Sequence, residues 1–392
     1  MAERIVRLHT GGVQVAPPLA LYIHLPWCVK KCPYCDFNSH AAERIPESAY
    51  IDALLADLES ALPEIWGRRI HTVFFGGGTP SLFSPEGIDR ILTGVRTLTP
   101  LAPGAEITLE ANPGTVEAGR FAGFRAAGVT RVSLGIQSFE PRHLAALGRI
   151  HDAAEARAAA ALAATYFETF NLDLMYALPG QTLAEALADI ETALRFGPPH
   201  LSAYHLTLEP NTPFGHTAPP NLPDDDAAAD MQQAIEARLA DAGMAHYETS
   251  AFARPGHACR HNLNYWEFGD YLGIGAGAHG KLSFHDRIVR QMRVKHPQQY
   301  MSAAMRGAPI AETRTLARGD LPFEFMMNAL RLNAGVPAAL FEVRTGLPLA
   351  VCAEALRQAR ERGLLETDPA WLRPSARGRR FLNDLLALFL AD

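Results

Sequence analysis

Between Ala20 and Pro210 the chain alternates, six times over, a short apolar run rich in β-branched and aromatic residues with a longer stretch of helical period. The runs are Leu21–Leu25, Thr72–Phe75, Glu106–Glu110, Arg131–Ile136, Phe170–Met175 and Leu201–Leu206, and each is nearly continuous in apolar residues. A strand with one wet face would alternate polar and apolar positions, whereas a continuous run marks a strand covered on both faces, the habit of parallel sheets. Between the runs, Glu47–Ile65 and Pro85–Leu98 predict helices, the second behind Ser84 as N-cap. Gly128 and Gly197 fit as C-caps. Six βα units are two short of a closed (β/α)8 barrel, so the α/β fold expected over residues 20–211 is a partial, open (β/α)6 barrel.

Residues 1–19 precede the first unit as an N-terminal segment. After Pro210 the pattern breaks into Pro/Gly-rich chain, and the Asp224-Asp225-Asp226 run reads as the solvated start of a helix that ends near Gly243. A Gly-rich segment, Gly273 to Gly280, and a basic, irregular stretch complete a barrel extension over residues 212–317. From 318 to 392, helices, a Gly-Leu-Leu turn, a short strand, an Arg-rich turn and a last helix predict a small winged-helix-like domain. Such domains often bind DNA, but this one carries 10 Arg against 9 acidic residues and lacks a duplex binder's charge.

The whole chain excludes several classes. Its 392 residues are 48% hydrophobic, which suits a packed globular protein, and a net charge of -6 argues against nucleic acid as partner. Apolar stretches fall far short of the roughly 20 residues that span a bilayer, so an integral membrane protein is not expected. Met1 to Ala20 has no apolar signal core, and a cytoplasmic location is expected.

Of five cysteines, Cys28, Cys32 and Cys35 crowd onto the segment after the first strand. Active sites of barrel folds sit at that end of the strands. An odd, clustered set points to a metal or iron–sulfur site rather than a disulfide framework. Three thiolates can cap three irons of a [4Fe–4S] cluster and leave the fourth open to a chelating ligand such as S-adenosylmethionine. Structural zinc is the other reading, with His24 or His40 as fourth ligand. Polar groups recur at the same strand ends: Gly76-Gly77-Gly78-Thr79-Pro80, Glu110-Ala-Asn112-Pro113, Gly135-Ile-Gln137-Ser138 and Asp173-Leu-Met-Tyr. The glycine triplet lets a ligand approach the backbone, or serves only as a tight turn.

The cysteine triplet with its interleaved Tyr34 resembles the radical SAM signature, and the segments together resemble the anaerobic coproporphyrinogen III oxidase family from Tyr22 to the C-terminal domain. The resemblance implies that Cys28, Cys32 and Cys35 hold a [4Fe–4S] cluster and that Tyr22 and Tyr34 contact S-adenosylmethionine. It implies further that Gly78 and Thr79 hold the methionine end of that cofactor, with Glu110, Gln137, Arg149 and Asp173 along methionine and ribose. Arg149 is placed by its spacing of twelve from Gln137. His279, in the Gly273–Gly280 segment, would lie near the adenine.

The chain departs from the oxidases at Phe37, where they carry a fourth cysteine, and in having 21 residues before Tyr22, where they carry a longer arm. Cys35-Asp-Phe37-Asn-Ser and His261-Asn262-Leu-Asn-Tyr265-Trp266 are similar instead to an oxidase-like branch regarded as heme chaperones. An imidazole can ligate heme iron, and Tyr265 and Trp266 offer flat apolar surface. His257 and Cys259 are alternative ligands, and in the other reading Tyr265 and Trp266 are core anchors while His261 satisfies a backbone carbonyl. Three functions therefore stay in play: a heme chaperone with a cluster and S-adenosylmethionine site, an oxygen-independent coproporphyrinogen III oxidase, and a radical SAM enzyme on another substrate. The first implies heme and an unidentified heme-acceptor protein, soluble or membrane-associated, as partners.

Overall fold

The fold is seen in a computed structural model that describes residues 12–115 and 118–390; the first eleven positions of the N-terminal segment lie outside the described residues. The six predicted βα units are present. Strands β1 (Leu19–Leu25), β2 (Ile70–Gly77), β3 (Leu101–Ala111), β4 (Arg131–Gln137), β5 (Thr169–Tyr176) and β6 (His200–His205) lie parallel in chain order. Helices α1 (Glu47–Ile65), α2 (Pro85–Leu98), α3 (Ala118–Ala127), α4 (Ala153–Tyr166) and α5 (Leu183–Leu194) connect them. The local signals act as physics predicts: Ser84 Oγ accepts from Gly87 N–H at 3.0 Å, and Gly128 and Gly197 adopt φ of +109° and +64°.

The core lies between sheet and helices. Leu21, Ile23, Val73, Phe75, Leu109 and Leu134 from the strands meet Leu54, Leu58, Ile88 and Ile91 from α1 and α2, all essentially solvent-free. Each such side chain contributes roughly 1.5–3 kcal/mol by leaving water. Continuous apolar strands thus bury both faces, and the polar groups collect at the strand ends and in the barrel interior.

The extension is more regular than its composition implies. After α6 (Asp225–Asp241), which starts at the Asp run as expected and is capped by Asp224, come β7 (Ala245–Glu248), β8 (Ala251–Ala253), α7 (Arg260–Trp266), β9 (Asp270–Ile274), β10 (His279–Ser283), β11 (Ile288–Arg293), α8 (Pro297–Ala304) and β12 (Ile310–Thr315). The sheet has twelve strands in the order β12-β11-β10-β9-β1-β2-β3-β4-β5-β6-β8-β7, with β9 parallel to β1, and its two edges do not meet. The stretch expected to be irregular after Gly280 is therefore mostly regular, built from strands and one helix. It escaped the pattern because its buried positions are charged but paired: Lys281 Nζ lies 3.0 Å from Asp270, and Arg293 Nε 3.1 Å from Asp57 on α1.

In the C-terminal part, helices Leu321–Ala329, Ala339–Thr345 and Ala353–Glu361 surround a two-stranded antiparallel ribbon of Val336–Pro337 and Trp371–Leu372. A separate core of Phe325, Phe341, Leu356 and Leu372 continues into Phe268 and Ile288, so this domain is seated on the β9–β11 side of the sheet. No helix among the described residues is long and apolar enough to cross a membrane.

Candidate functional site

The loop after β1 leaves the sheet and closes on its own start, pinned by His40 N–H to Pro26 O at 2.7 Å and Ala42 N–H to Cys28 O at 3.1 Å. Cys28, Cys32 and Cys35 sit on it as partly exposed free thiols. Burial pushes the Cys28 and Cys35 thiols up, while hydrogen bonds with Thr79 and Ser39 oppose the rise at Cys28. All three cysteines line a cavity of about 810 Å³ that also meets Tyr34, Gly78, Thr79, Glu110, Gln137, Arg149 and Asp173. Seven of the nine residues expected at S-adenosylmethionine, all but Tyr22 and His279, thus share this cavity with the thiols.

The glycine turn has a packing reason as well as a ligand reason. A Cβ on Gly78 would lie 2.5 Å from Trp27 O, and the N–H groups of Gly78 and Thr79 are spent on Leu25 O and Trp27 O at 2.8 and 2.7 Å. The turn thus holds the cysteine loop against β1. Arg149 is the second clamp: its Nη1 lies 3.5 Å from both Cys32 Sγ and Tyr34 Oη, and its Nη2 donates to Asn112 Oδ1 at 2.6 Å and Gly135 O at 2.8 Å. Asn112, a member of the strand-end motif that the sequence gives no individual role, in turn donates to Thr79 Oγ1 at 3.0 Å. Gln137 ends β4 with φ +68°, an unfavourable conformation for a non-glycine residue.

Two carboxylates face the chamber. Burial, and then the nearby Asp173, push Glu110 up to about 8, with Gly77 N–H at 3.3 Å as its one backbone donor. Burial also raises Asp173, against the hydrogen bonds it accepts from Asn171 Nδ2 at 2.8 Å and Ser133 Oγ at 3.0 Å. Below them Asn171 binds His200 at 2.7 Å, with Arg131 buried alongside. These inward polar groups of β4 to β6 were missed because single polar residues inside an apolar run carry no spacing signal.

Among the described residues no three His, Cys, Asp or Glu side chains converge closely enough to hold one metal ion. Both candidate zinc ligands, His24 and His40, line a different cavity from the thiols, and the His24 nitrogens are engaged by Tyr22 Oη at 3.0 Å and Asn38 O at 2.9 Å. Three soft sulfur donors beside a chamber fit an iron–sulfur cluster with an open iron better than a closed zinc tetrahedron.

That different cavity, of about 880 Å³, adjoins the first and shares Lys31, Asp36, Phe37, Ser39, Gly77 and Glu110 with it. Tyr22, Tyr265, Trp266, Tyr271 and His279 line it. His279, expected at the adenine, therefore faces this second chamber and not the thiol cavity. His261 lines neither: it is 1% exposed, with Nδ1 at 2.9 Å from Thr72 Oγ1 and Nε2 at 3.0 Å from Tyr265 Oη. A neutral imidazole has one donor and one acceptor, and both are used, so in this conformation the expected heme ligand has no lone pair to offer. Cys259, the alternative, is buried against Glu106.

The fold, with its cysteine loop at the strand ends, defines a radical SAM protein: the Radical SAM superfamily profile matches residues 22–193, and that of the HemN C-terminal domain matches residues 316–381. A solved structure titled coproporphyrinogen III oxidase (HemN) from Escherichia coli superimposes with a TM-score of 0.82 at 24% identity, covering 95% of this chain and 90% of that one. The chain belongs to the HemN-type family of radical SAM proteins, in its HemW-like branch. It is 50% identical to Escherichia coli (strain K12) heme chaperone HemW over 96% of this chain and 99% of that protein, and 50% identical to the Haemophilus influenzae protein of the same name at the same coverage. A Bos taurus relative, radical S-adenosyl methionine domain-containing protein 1, mitochondrial, is 36% identical over 97% of this chain and 90% of its own length.

Proposed function

We propose that this protein is a heme chaperone: it binds heme as cargo beside a [4Fe–4S] cluster and S-adenosylmethionine site, and passes the heme to an acceptor protein. One observation carries the reading. Two chambers, one lined by three thiols and one by aromatic rings, share a wall at Phe37, Gly77 and Glu110. Cys28, Cys32 and Cys35 would hold the cluster, which when bound would supply an open iron for the methionine end of S-adenosylmethionine to chelate. Around it, Arg149 fixes the loop, Asn112 orients Thr79, and Glu110 and Asp173 offer acceptors for ammonium and hydroxyl groups. His279 stands outside this set.

The second chamber falls within the roughly 300–1,000 Å³ typical of pockets for small molecules and cofactors. Its flat wall is Tyr265 and Trp266, set by His261, which fixes the Tyr265 hydroxyl. Phe37, the residue in place of a fourth cysteine, is 61% exposed and faces both chambers, a wall for a macrocycle where the oxidase pattern has a thiol. The test of the cofactor half is electron paramagnetic resonance of the reduced, reconstituted protein. Adding S-adenosylmethionine shifts the cluster signal in the wild type and leaves it unmoved if the open iron is not there.

A further inference from the structure

We infer that His279 is the residue that ligates the iron of the bound heme. The assignment rests on the heme-carrier reading and names the ligand within it. Three histidines line the aromatic chamber, His24, His40 and His279. His24 has both nitrogens engaged, and His40 Nε2 is sealed from the chamber's solvent, packed edge-on to His296 at 5.8 Å. The His279 ring is exposed to the chamber, and no hydrogen bond occupies either nitrogen.

The Gly-rich segment explains how that ring is delivered. A Cβ on Gly273 would lie 2.0 Å from His279 O, so β9 and β10 approach too closely for any other residue. Gly277 turns with φ +78°, and a Cβ there would meet Asn38 Nδ2 at 2.4 Å. Asn38 Nδ2 donates at 2.9 Å to both Ala276 O and Lys295 O, fastening the turn to the tail of the cysteine loop. His279 then starts β10 opposite Met292 of β11, a rigid mount for a ligand.

The surroundings fit a porphyrin carrying acidic side chains. Tyr265, Tyr271 and Trp266 supply apolar rings, and the exposed Lys31 and Lys295 at the same chamber supply positive charge for two carboxylates. Arg290 is already occupied by Glu324 and by Tyr271 Oη at 2.9 Å, whereas Lys31 spends one N–H on Phe37 O at 2.9 Å and keeps the others, and Lys295 is the free cation among those three.

The experiment is hemin titration of the full chain, followed by absorbance and resonance Raman spectra, for wild type, His279→Gly, His279→Met, His261→Ala and His40→Ala. His279→Gly is expected to bind about tenfold or more weakly, to lose the imidazole-ligated spectrum and to regain it with added imidazole. His279→Met keeps a ligand of similar reach and is expected to show thioether ligation, which separates ligand loss from misfolding. His261→Ala and His40→Ala are expected to keep the wild-type spin and ligation markers. A wild-type spectrum in both His279 variants, or its loss in His261→Ala or His40→Ala alone, overturns the assignment while the carrier reading stands. A wild type that takes up no hemin overturns both.

Discussion

Replacing Glu110 by Gln should stabilise the ligand-free protein and weaken its hold on S-adenosylmethionine. The folded protein raises this carboxyl from 4.5 to about 8, through burial first and the neighbouring Asp173 second. Between those values the folded state keeps a proton that the unfolded chain has released, so stability falls as pH rises through that window. At pH 7 the cost is about 1.36 kcal/mol for each of two and a half units, roughly 3 kcal/mol; solvent in the adjoining cavity reduces it to about 1–2 kcal/mol. Glutamine is neutral at every pH and escapes the cost, while its side-chain oxygen can still accept from Gly77 N–H. Calorimetry of cluster-free wild type and Glu110→Gln at pH 5 and pH 8 should give nearly equal midpoints at pH 5 and a variant higher by about 2–4 °C at pH 8. Asp173→Asn should shrink the difference, because it removes the second cause. An offset of the same size at both pH values would refute the reasoning, and so would undiminished S-adenosylmethionine binding by the variant.

Single Ser substitutions of Cys28, Cys32 and Cys35 should each cost most of the iron after anaerobic reconstitution, whereas Cys259→Ser and Cys352→Ser, at thiols buried away from the loop, should load normally by iron and sulfide assay. Arg149→Met should lower cluster retention and thermal stability together, since Asn112 Oδ1 and Gly135 O each lose a charged donor worth about 1–3 kcal/mol, and iron content against temperature reads both. Gly78→Ala should destabilise the protein at every pH by driving the cysteine loop from β1, and a midpoint within 1 °C or so of wild type by calorimetry would show that the turn has slack.

The sequence was most legible where burial is two-sided. Arg131–Ile136 and Phe170–Met175 lie within β4 and β5 almost to the residue, because a strand covered on both faces must be apolar throughout. The cysteine loop and the strand-end polar groups were legible because their motifs are local in sequence, and the fold gathers them at one cavity. Lys281 and Arg293 show why the extension was not: a buried ion pair needs a partner distant in sequence, Asp270 or Asp57, and without it a charged position reads as solvated loop. The surroundings of His261 were hidden for a related reason. Its motif is local, but its nitrogens are claimed by Thr72 on β2 and by Tyr265, contacts that no spacing reveals. His279 sits in a Gly-rich run whose composition is shared by many nucleotide loops, and only the position of β9 beside β1 turns it toward the aromatic chamber.

Heme stoichiometry on the cluster-loaded protein tests the central claim most directly. Protein reconstituted with iron and sulfide is saturated with hemin, passed through a desalting column, and assayed for heme by the pyridine hemochrome method alongside a parallel sample given coproporphyrinogen III, S-adenosylmethionine and reductant. The account predicts close to one heme per chain retained beside an intact cluster, with no decarboxylated product in the parallel sample. Substoichiometric heme together with conversion of coproporphyrinogen III would contradict it and make the chain an oxidase.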